Sequence, residues 1–236
     1  MNDNNLLLIG SESHICKGFL KSYSEKFNKI VGIDLPEKSS SLTTYLAVDF
    51  RQDTSFKKIA DFLEELNLTF SNIVFTPGIN YMNDVFGVTL KDWDNTFNIN
   101  VRAALFSMKI IHKYLSDEVS IVFIASQNGV VAHEKRIDYG PAKSALIHLA
   151  KNLSIDYAKI EDKDIRVNTI SPSYIINESN RDLLSSSFGK RLLTKIPYKK
   201  FVTVEDVNQT MDFLLSKNSQ AMRGQNLILD YGYTIV

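Results

Sequence analysis

SIVFIASQNG (Ser120–Gly129), followed by YGPAK (Tyr139–Lys143), decides how this chain is read. The first stretch is an apolar run that gives out into a loop, as a buried strand does at its C-terminal end. The second opens a helical pattern from about Asp138 to Lys159, which places Tyr139 and Lys143 one turn apart on one face. Ser126 lies 13 positions before Tyr139. A hydroxyl at a strand end then faces a phenol and an amine on the following helix, an arrangement suited to proton transfer coupled to hydride transfer. Tyr-x-x-x-Lys alone is a common solvated stripe. The serine at this spacing, together with a nucleotide-binding pattern elsewhere in the chain, gives the pair its meaning.

Short apolar runs recur at Leu6–Ile9, Lys29–Ile33, Thr44–Val48, Asn72–Phe75, Val119–Ile124, Ile165–Ile170 and Asn226–Leu229. Helical patterns lie between most of them, at Ser55–Leu66, Asp94–Tyr114, Tyr139–Lys159 and Val204–Ser216. About seven strands alternating with helices predict a single α/β domain over residues 1–236, a doubly wound parallel sheet of the Rossmann type with helices on both faces. No repeat, linker or low-complexity tract interrupts it. The stretch from Ser171 to Phe201 holds Pro172, Asn177, Gly189 and Pro197 and breaks the alternation. It predicts a partly helical excursion, a lid over the ligand at the strands' C-terminal edge.

Composition narrows the function. Lys+Arg and Asp+Glu balance at 27 each, so no global field argues for nucleic acid or a membrane surface. Cys16 is the single cysteine, which excludes an internal disulfide and a cysteine metal cluster, and the four histidines show no metal-ligand spacing. The polar start MNDNN precedes an apolar run too short for a secretory signal, and no stretch is long enough to span a bilayer. A soluble, cytoplasmic protein is expected.

The first strand runs into LIGSESHICKGF (Leu8–Phe19), a strand, a tight turn and a helix N-terminus, where free N–H groups and the helix dipole favour phosphate. Gly10 supplies the turn. Later glycines of the usual fingerprints fall on Ser13, His14 or Cys16, adding bulk where backbone approaches pyrophosphate. Ser13 and Cys16 are small; His14 either bonds a phosphate or blocks it. Asp34 ends the second strand 24 residues after Gly10, where a carboxylate takes both hydroxyls of an adenosine ribose and repels a 2′-phosphate. No Arg or Lys occupies Ser11 to Ser13 or Leu35, which favours NAD over NADP. The plainer reading of Asp34 is a turn former before Pro36. Asp49 closes the third strand, either at the adenine edge or as a turn or helix cap.

These segments together resemble the short-chain dehydrogenase/reductase family over nearly the whole chain. The resemblance places the cofactor turn on Leu6 to Cys16, with Gly10, Ser13 and Ile15 in it, the ribose acid on Asp34 and the adenine position on Asp49. The family's Asn-Asn-Ala-Gly motif falls on Phe75-Thr76-Pro77-Gly78, so only Gly78 is retained. Its helix asparagine matches Asn100, its serine Ser126, and its Tyr-x-x-x-Lys pair Tyr139 and Lys143. Arg166-Val167-Asn168 is intact, the following Pro-Gly is Pro172–Ser173, Ile175 joins the cofactor contacts, and Asn177 stands where a Thr often meets the nicotinamide amide. Tyr231 interrupts the closing Asp-Gly-Gly.

The resemblance implies an NAD(P)-dependent oxidoreductase moving hydride to or from a carbonyl/alcohol substrate, assembled as a homodimer or homotetramer through its helices and last strand. Tyr139 is then the general acid/base, with its high intrinsic pKa lowered by the Lys143 charge together with the positive charge of the oxidised nicotinamide. Lys143 also bonds the nicotinamide ribose, Ser126 holds the substrate oxygen, and Asn100 anchors a water unless its side chain merely bonds nearby backbone. His133, Tyr174 and Asn80 are candidate substrate contacts; His112 and His148 read as structural. Arg181, Lys190, Arg191, Lys195, Lys199 and Lys200 in the lid either attract an anionic substrate or are solvated helix faces. The eroded turn leaves a non-catalytic nucleotide-binding or regulatory protein as the alternative. The length disfavours the longer sugar-nucleotide epimerases, which carry a separate substrate region.

Overall fold

Runs of apolar residues on both faces of each strand demand cover on both sides of the sheet, and the fold supplies it. A computed structural model describes residues 4–236; Met1 to Asp3, the start of the polar N-terminus, lie outside the described residues. The chain begins β1 (Asn5–Ile9), α1 (His14–Tyr23), β2 (Lys29–Asp34), β3 (Tyr45–Ala47), α2 (Thr54–Leu66) and β4 (Phe70–Phe75). It continues α3 (Leu90–Phe97), α4 (Ala103–Ile111), β5 (Leu115–Ile124), α5 (Tyr139–Tyr157) and β6 (Asp164–Pro172). It closes with β7 (Ile175–Ile176), α6 (Arg181–Ser185), α7 (Ser187–Thr194), β8 (Val202–Thr203), α8 (Val204–Leu215) and β9 (Asn226–Leu229).

Seven strands form one parallel sheet in the order β3-β2-β1-β4-β5-β6-β9. The winding reverses between β1 and β4, which opens a crevice at their C-terminal ends. Ile9 pairs with both Ile33 and Phe75, and Phe75 with Phe123, so Gly10, Asp34 and Thr76 leave the sheet along one edge. Leu7 and Ile9 pack on Ile59, Leu63, Met108 and Leu146 of α2, α4 and α5. Leu6 and Leu8 face the other way, onto Phe19, Val207 and Met211 of α1 and α8. Burying each such side chain contributes on the order of 2 kcal/mol. The single α/β domain expected from the alternation is the one found, and none of its described helices is long and apolar enough to cross a membrane.

Two elements differ from expectation in ways that bear on the site. The helix expected over Asp94–Tyr114 starts at Leu90, where the Thr89 side chain accepts from Asp92 N. It then widens into a π-helical turn at Asn98–Arg102, with Ala103 N–H bonded to Asn98 O, before α4 resumes. Such an inserted turn shifts the side-chain register locally, and here it carries Asn100. The Ser171–Phe201 excursion is partly helical as expected, and differs in where it begins and in carrying a strand pair. Ser171 and Pro172 still belong to β6, β7 and β8 pair outside the main sheet, and α6 and α7 fill the interval. Gly189 lets α7 fold back on α6, since a Cβ there would fall 1.8 Å from Leu184 O. Leu184, Leu192 and Ile196 are buried beneath.

Candidate active site

At the C-terminal edge of β5 the chain leaves the sheet at Ser126, whose hydroxyl accepts from Asn128 N–H at 3.2 Å. The loop then returns tightly onto α5. Gly129 permits this, because a Cβ there would sit 2.8 Å from the Lys143 backbone. Buried Asp138 starts the helix: Oδ1 accepts from Tyr139 N–H at 2.8 Å, and Oδ2 accepts from the Thr96 hydroxyl at 2.9 Å. Pro141 is harmless in this first turn, where its missing N–H has no partner to lose. Neither Gly129 nor Asp138 is singled out by the sequence, although the glycine lies within the quoted SQNG.

Ser126, Tyr139 and Lys143 line a cavity of about 230 Å³ together with Ile15, Gly78, Pro172 and Ile175. Lys143 is buried without a carboxylate and donates to Ile124 O at 3.0 Å. Burial pushes its amine down to about 7. Burial likewise pushes the Tyr139 phenol up, outweighing the Ser126 hydroxyl and the Arg136 charge, which act the other way. Without the nicotinamide charge the phenol is not lowered, because the apolar surroundings that lift it also weaken the lysine's hold on its proton. Asn100 is fully buried; its amide donates to Thr96 O and Ile79 O, while its Oδ1 has no partner. A Cβ on Gly78 would lie 2.9 Å from that oxygen and 3.1 Å from Lys143 Nζ, so glycine keeps the space between them open.

The nucleotide end is a second cavity of about 210 Å³ lined by Asp34, Asp49, Arg51 and Pro77, and it shares Gly78 and Ile79 with the first. Asp34 accepts from Glu12 N–H at 2.7 Å and Leu35 N–H at 2.6 Å, which points the carboxylate and ties it to the turn. Asp49 is gripped by Arg51 through both carboxylate oxygens, at 2.7–3.0 Å, and its pKa is lowered by those hydrogen bonds. Its side chain thus serves the turn before α2 while facing the cavity.

Gly10 has a φ of +84°, and a Cβ there would meet Thr76 Oγ1 at 2.1 Å. Thr76 donates to Gly10 O and approaches the Ser13 hydroxyl at 3.2 Å and Cys16 Sγ at 3.8 Å. Ser13 itself caps α1 by accepting from Cys16 N–H. Gly10 and Ser13 therefore shape the turn and do not line either cavity. The two departures from the usual turn, Thr76 and Cys16, pack on each other. His14, the first residue of α1, is exposed and lines neither cavity.

Glu12 carries a signal that the sequence reading passed over. Its carboxylate accepts from the Ser39 and Ser40 hydroxyls at 2.5 and 2.8 Å and pairs with Lys17 at 3.0 Å. Burial alone would raise its pKa, but these bonds prevail and hold it at about 2. Nearby, burial and the charges of Asp34 and Glu12 push Tyr45 up to about 12.

On the substrate side, His133 Nε2 meets the Tyr174 hydroxyl at 2.7 Å, joining the Ser126–Tyr139 loop to the start of the excursion. Tyr174 packs edge-on against Phe201 and Tyr233. Asn80 also lines the serine–tyrosine cavity. Asn177 does not line it, and its Oδ1 accepts from Ser179 and Asn180 in a local turn. The six lid cations are exposed, as solvated faces.

Comparison with known proteins places this geometry. The family described as Enoyl-(Acyl carrier protein) reductase matches residues 32–234. The NAD-dependent glycerol dehydrogenase of Listeria innocua is 26% identical over 245 aligned residues, covering 100% of this chain and 95% of the relative. The D-threitol dehydrogenase of Mycolicibacterium smegmatis is 25% identical, over 97% and 92% of the two chains. Among solved structures, a short chain dehydrogenase family protein from Francisella tularensis superposes with a TM-score of 0.88 at 24% identity, over 99% of both chains. A 4-hydroxyisoleucine dehydrogenase complexed with NADH does so with a TM-score of 0.88 at 21% identity, over 99% of both chains.

Proposed function

The chain belongs to the short-chain dehydrogenase/reductase family, and on that premise we propose that it oxidises an alcohol or reduces a carbonyl with NAD, using Ser126, Tyr139 and Lys143. It is an oxidoreductase acting on a CH–OH or C=O group. The observation that carries the residue assignment is the cavity those three side chains share with Ile15, Gly78, Pro172 and Ile175 at the reversal of the sheet. That cavity shares Gly78 and Ile79 with the acidic one, so a ligand with one end at Asp34 and the other at Tyr139 would run past these two residues. The residues present therefore fit a dinucleotide. Bound there, NAD supplies the hydride exchange and, when oxidised, a positive ring beside the phenol.

The chain's own residues do the rest. Ser126 holds the substrate oxygen, and Tyr139 Oη gives its proton to a carbonyl or takes one from an alcohol. Lys143 bonds the nicotinamide ribose and feeds protons to Tyr139, with an amine poised near neutrality for it. Asn100 Oδ1, buried and unpartnered beside Gly78, is the place for the water linking Lys143 to solvent. Gly10, Ser13 and the α1 N-terminus present the turn to pyrophosphate, while Asp34 takes the ribose hydroxyls and Asp49 faces the adenine.

NAD is preferred over NADP because the Asp34 carboxylate lines the nucleotide cavity, where it would repel a 2′-phosphate. The 171–201 excursion covers the substrate as a lid. The molecule works in the cytoplasm as a homo-oligomer, through the apolar surface between α8 and the edge strand β9, where Phe213, Leu227, Ile228 and Tyr231 line a cavity of about 680 Å³. Titration with NADH and NADPH, followed by calorimetry and energy transfer from Trp93, tests the reading. Tighter binding of NADH, with turnover lost in Tyr139→Phe, is expected; binding of neither cofactor overturns it.

A further inference from the structure

The cavity that holds Ser126, Tyr139 and Lys143 has two further polar residues in its lining, Asn80 and Ser173, to which the reaction gives no task. Thr76 also lines it, but the Thr76 hydroxyl donates to Gly10 O at 2.8 Å. In the sheet, β5 lies between β4 and β6. Ser126, just past β5, is therefore flanked by the chain leaving β4, which carries Asn80, and the chain leaving β6, which carries Ser173. Parallel strands about 4.8 Å apart that end at one edge bring all three residues to one opening.

Ser173 is held by its backbone. Its N–H donates to Leu229 O at 2.8 Å, next to the Pro172–Leu229 pair of the edge strand. Its hydroxyl is covered and has no hydrogen-bond partner. Folded proteins leave few such groups unpaired, and each calls for a reason. With the backbone fixed, the hydroxyl moves only by turning about χ1, and a ligand in the cavity that Ser173 lines offers it a partner. Asn80 is engaged at one end only. Its Oδ1 accepts from Met82 N–H at 3.0 Å, and its amide N–H groups have no partner among the described residues. No carboxylate and no arginine lines this cavity. The two unassigned groups therefore suit a neutral oxygen that accepts from an amide and exchanges a hydrogen bond with a hydroxyl. The cavity volume of about 230 Å³ lies below the roughly 300–1,000 Å³ usual for ligand pockets, which suits a short carbon chain.

We propose that Ser173 is a specificity-determining residue which, with Asn80, holds a second hydroxyl on the carbon next to the reacting one. The substrate is then a short vicinal diol, or the α-hydroxy carbonyl formed from it. The inference rests on the hydride-transfer reading and names the substrate class of that site. In the oxidation, the carbinol C–H breaks with its hydride passing to NAD, the O–H proton passes to Tyr139, and a C=O bond forms. The neighbouring hydroxyl stays intact on Ser173 throughout.

The test begins with NADH binding to the parent protein, followed by kcat/KM with NAD for pairs of alcohols that differ by one hydroxyl. The pairs are 2,3-butanediol with 2-butanol, 1,2-propanediol with 2-propanol, and glycerol with 1,3-propanediol. At least one vicinal diol is expected to outrun its partner by about ten-fold or more, because a site that bonds a hydroxyl rejects the analogue lacking it. Ser173→Ala should collapse that ratio towards one, and Asn80→Ala should reduce it. Ser173→Ala also deletes an unpaired group, so without ligand it should melt no lower than the parent. With NADH bound, the absence of any diol that outruns its partner overturns the proposal, as does a preference that survives Ser173→Ala. Equal slowing of both members of each pair, with weaker NADH binding in Ser173→Ala, assigns the hydroxyl to the cofactor and also overturns it. A Ser173→Ala protein that melts well below the parent gives the hydroxyl a structural role with the same consequence. Failure of the parent to bind NADH refutes instead the hydride-transfer reading.

Discussion

Lys143→Met should make this protein more stable and inactive at once. In the fold Lys143 is buried, with a single hydrogen bond to Ile124 O and an amine pushed down to about 7 from 10.5. Between those two values the unfolded chain keeps a proton that the folded one gives up, so stability rises with pH across that window. The burden is fully present below about pH 7 and vanishes as the unfolded amine titrates. At 1.36 kcal/mol per unit the shift corresponds to roughly 5 kcal/mol at neutral pH. Losing the bond to Ile124 O offsets about 1–2 kcal/mol of the gain. Methionine matches the length of the stem and packs in its place. A net gain of about 3 kcal/mol raises the Tm of a domain of this size by roughly 6–12 °C. Thermal melts followed by circular dichroism, run from about pH 6 to pH 10, read this directly. The variant should lead by most in the acidic part and converge with the parent near the alkaline end. A variant that melts below the parent throughout, or a gap that ignores pH, would refute the reasoning that Lys143 is held against its own desolvation.

Three further outcomes follow from the same geometry. Gly10→Ala combines a left-handed φ with a 2.1 Å approach to Thr76 Oγ1 and should cost about 3 kcal/mol, with partial recovery in Gly10→Ala/Thr76→Ala; chemical denaturation measures both. Asp138→Ala removes the α5 cap and strands the buried Thr96 hydroxyl, so a loss of about 2–4 kcal/mol in urea unfolding is expected, with Tyr139 displaced and turnover reduced. Asp34→Ala should weaken NADH binding and spare NADPH; no change in either cofactor removes this acid as the source of selectivity.

The sequence alone determined the sheet. A buried strand between two helical layers must be apolar on both faces, and Leu6–Ile9 or Val119–Ile124 can satisfy no other environment of that length. It also determined the candidates Ser126, Tyr139 and Lys143, because spacing along a strand end and a helix face carries directly into space. Local reading was weaker where one residue answers to two neighbours. Asp49 satisfies Arg51, Asn177 closes a turn, and His14 points into solvent, and each looks the same in the sequence as a ligand contact.

Only the tertiary structure decided the rest. Thr76 and Cys16 lie 60 positions apart and meet at the turn, so what reads as two separate losses is one repacked contact. Glu12 acquires its role from Ser39, Ser40 and Asp34, which a crossover between β1 and β2 brings to it. The pKa values of Tyr139 and Lys143 depend on how much water the surrounding elements exclude, a property of the packed molecule that spacing does not contain. Periodicity reports which face of an element is buried; what that face meets is set by the long-range pairing of the sheet.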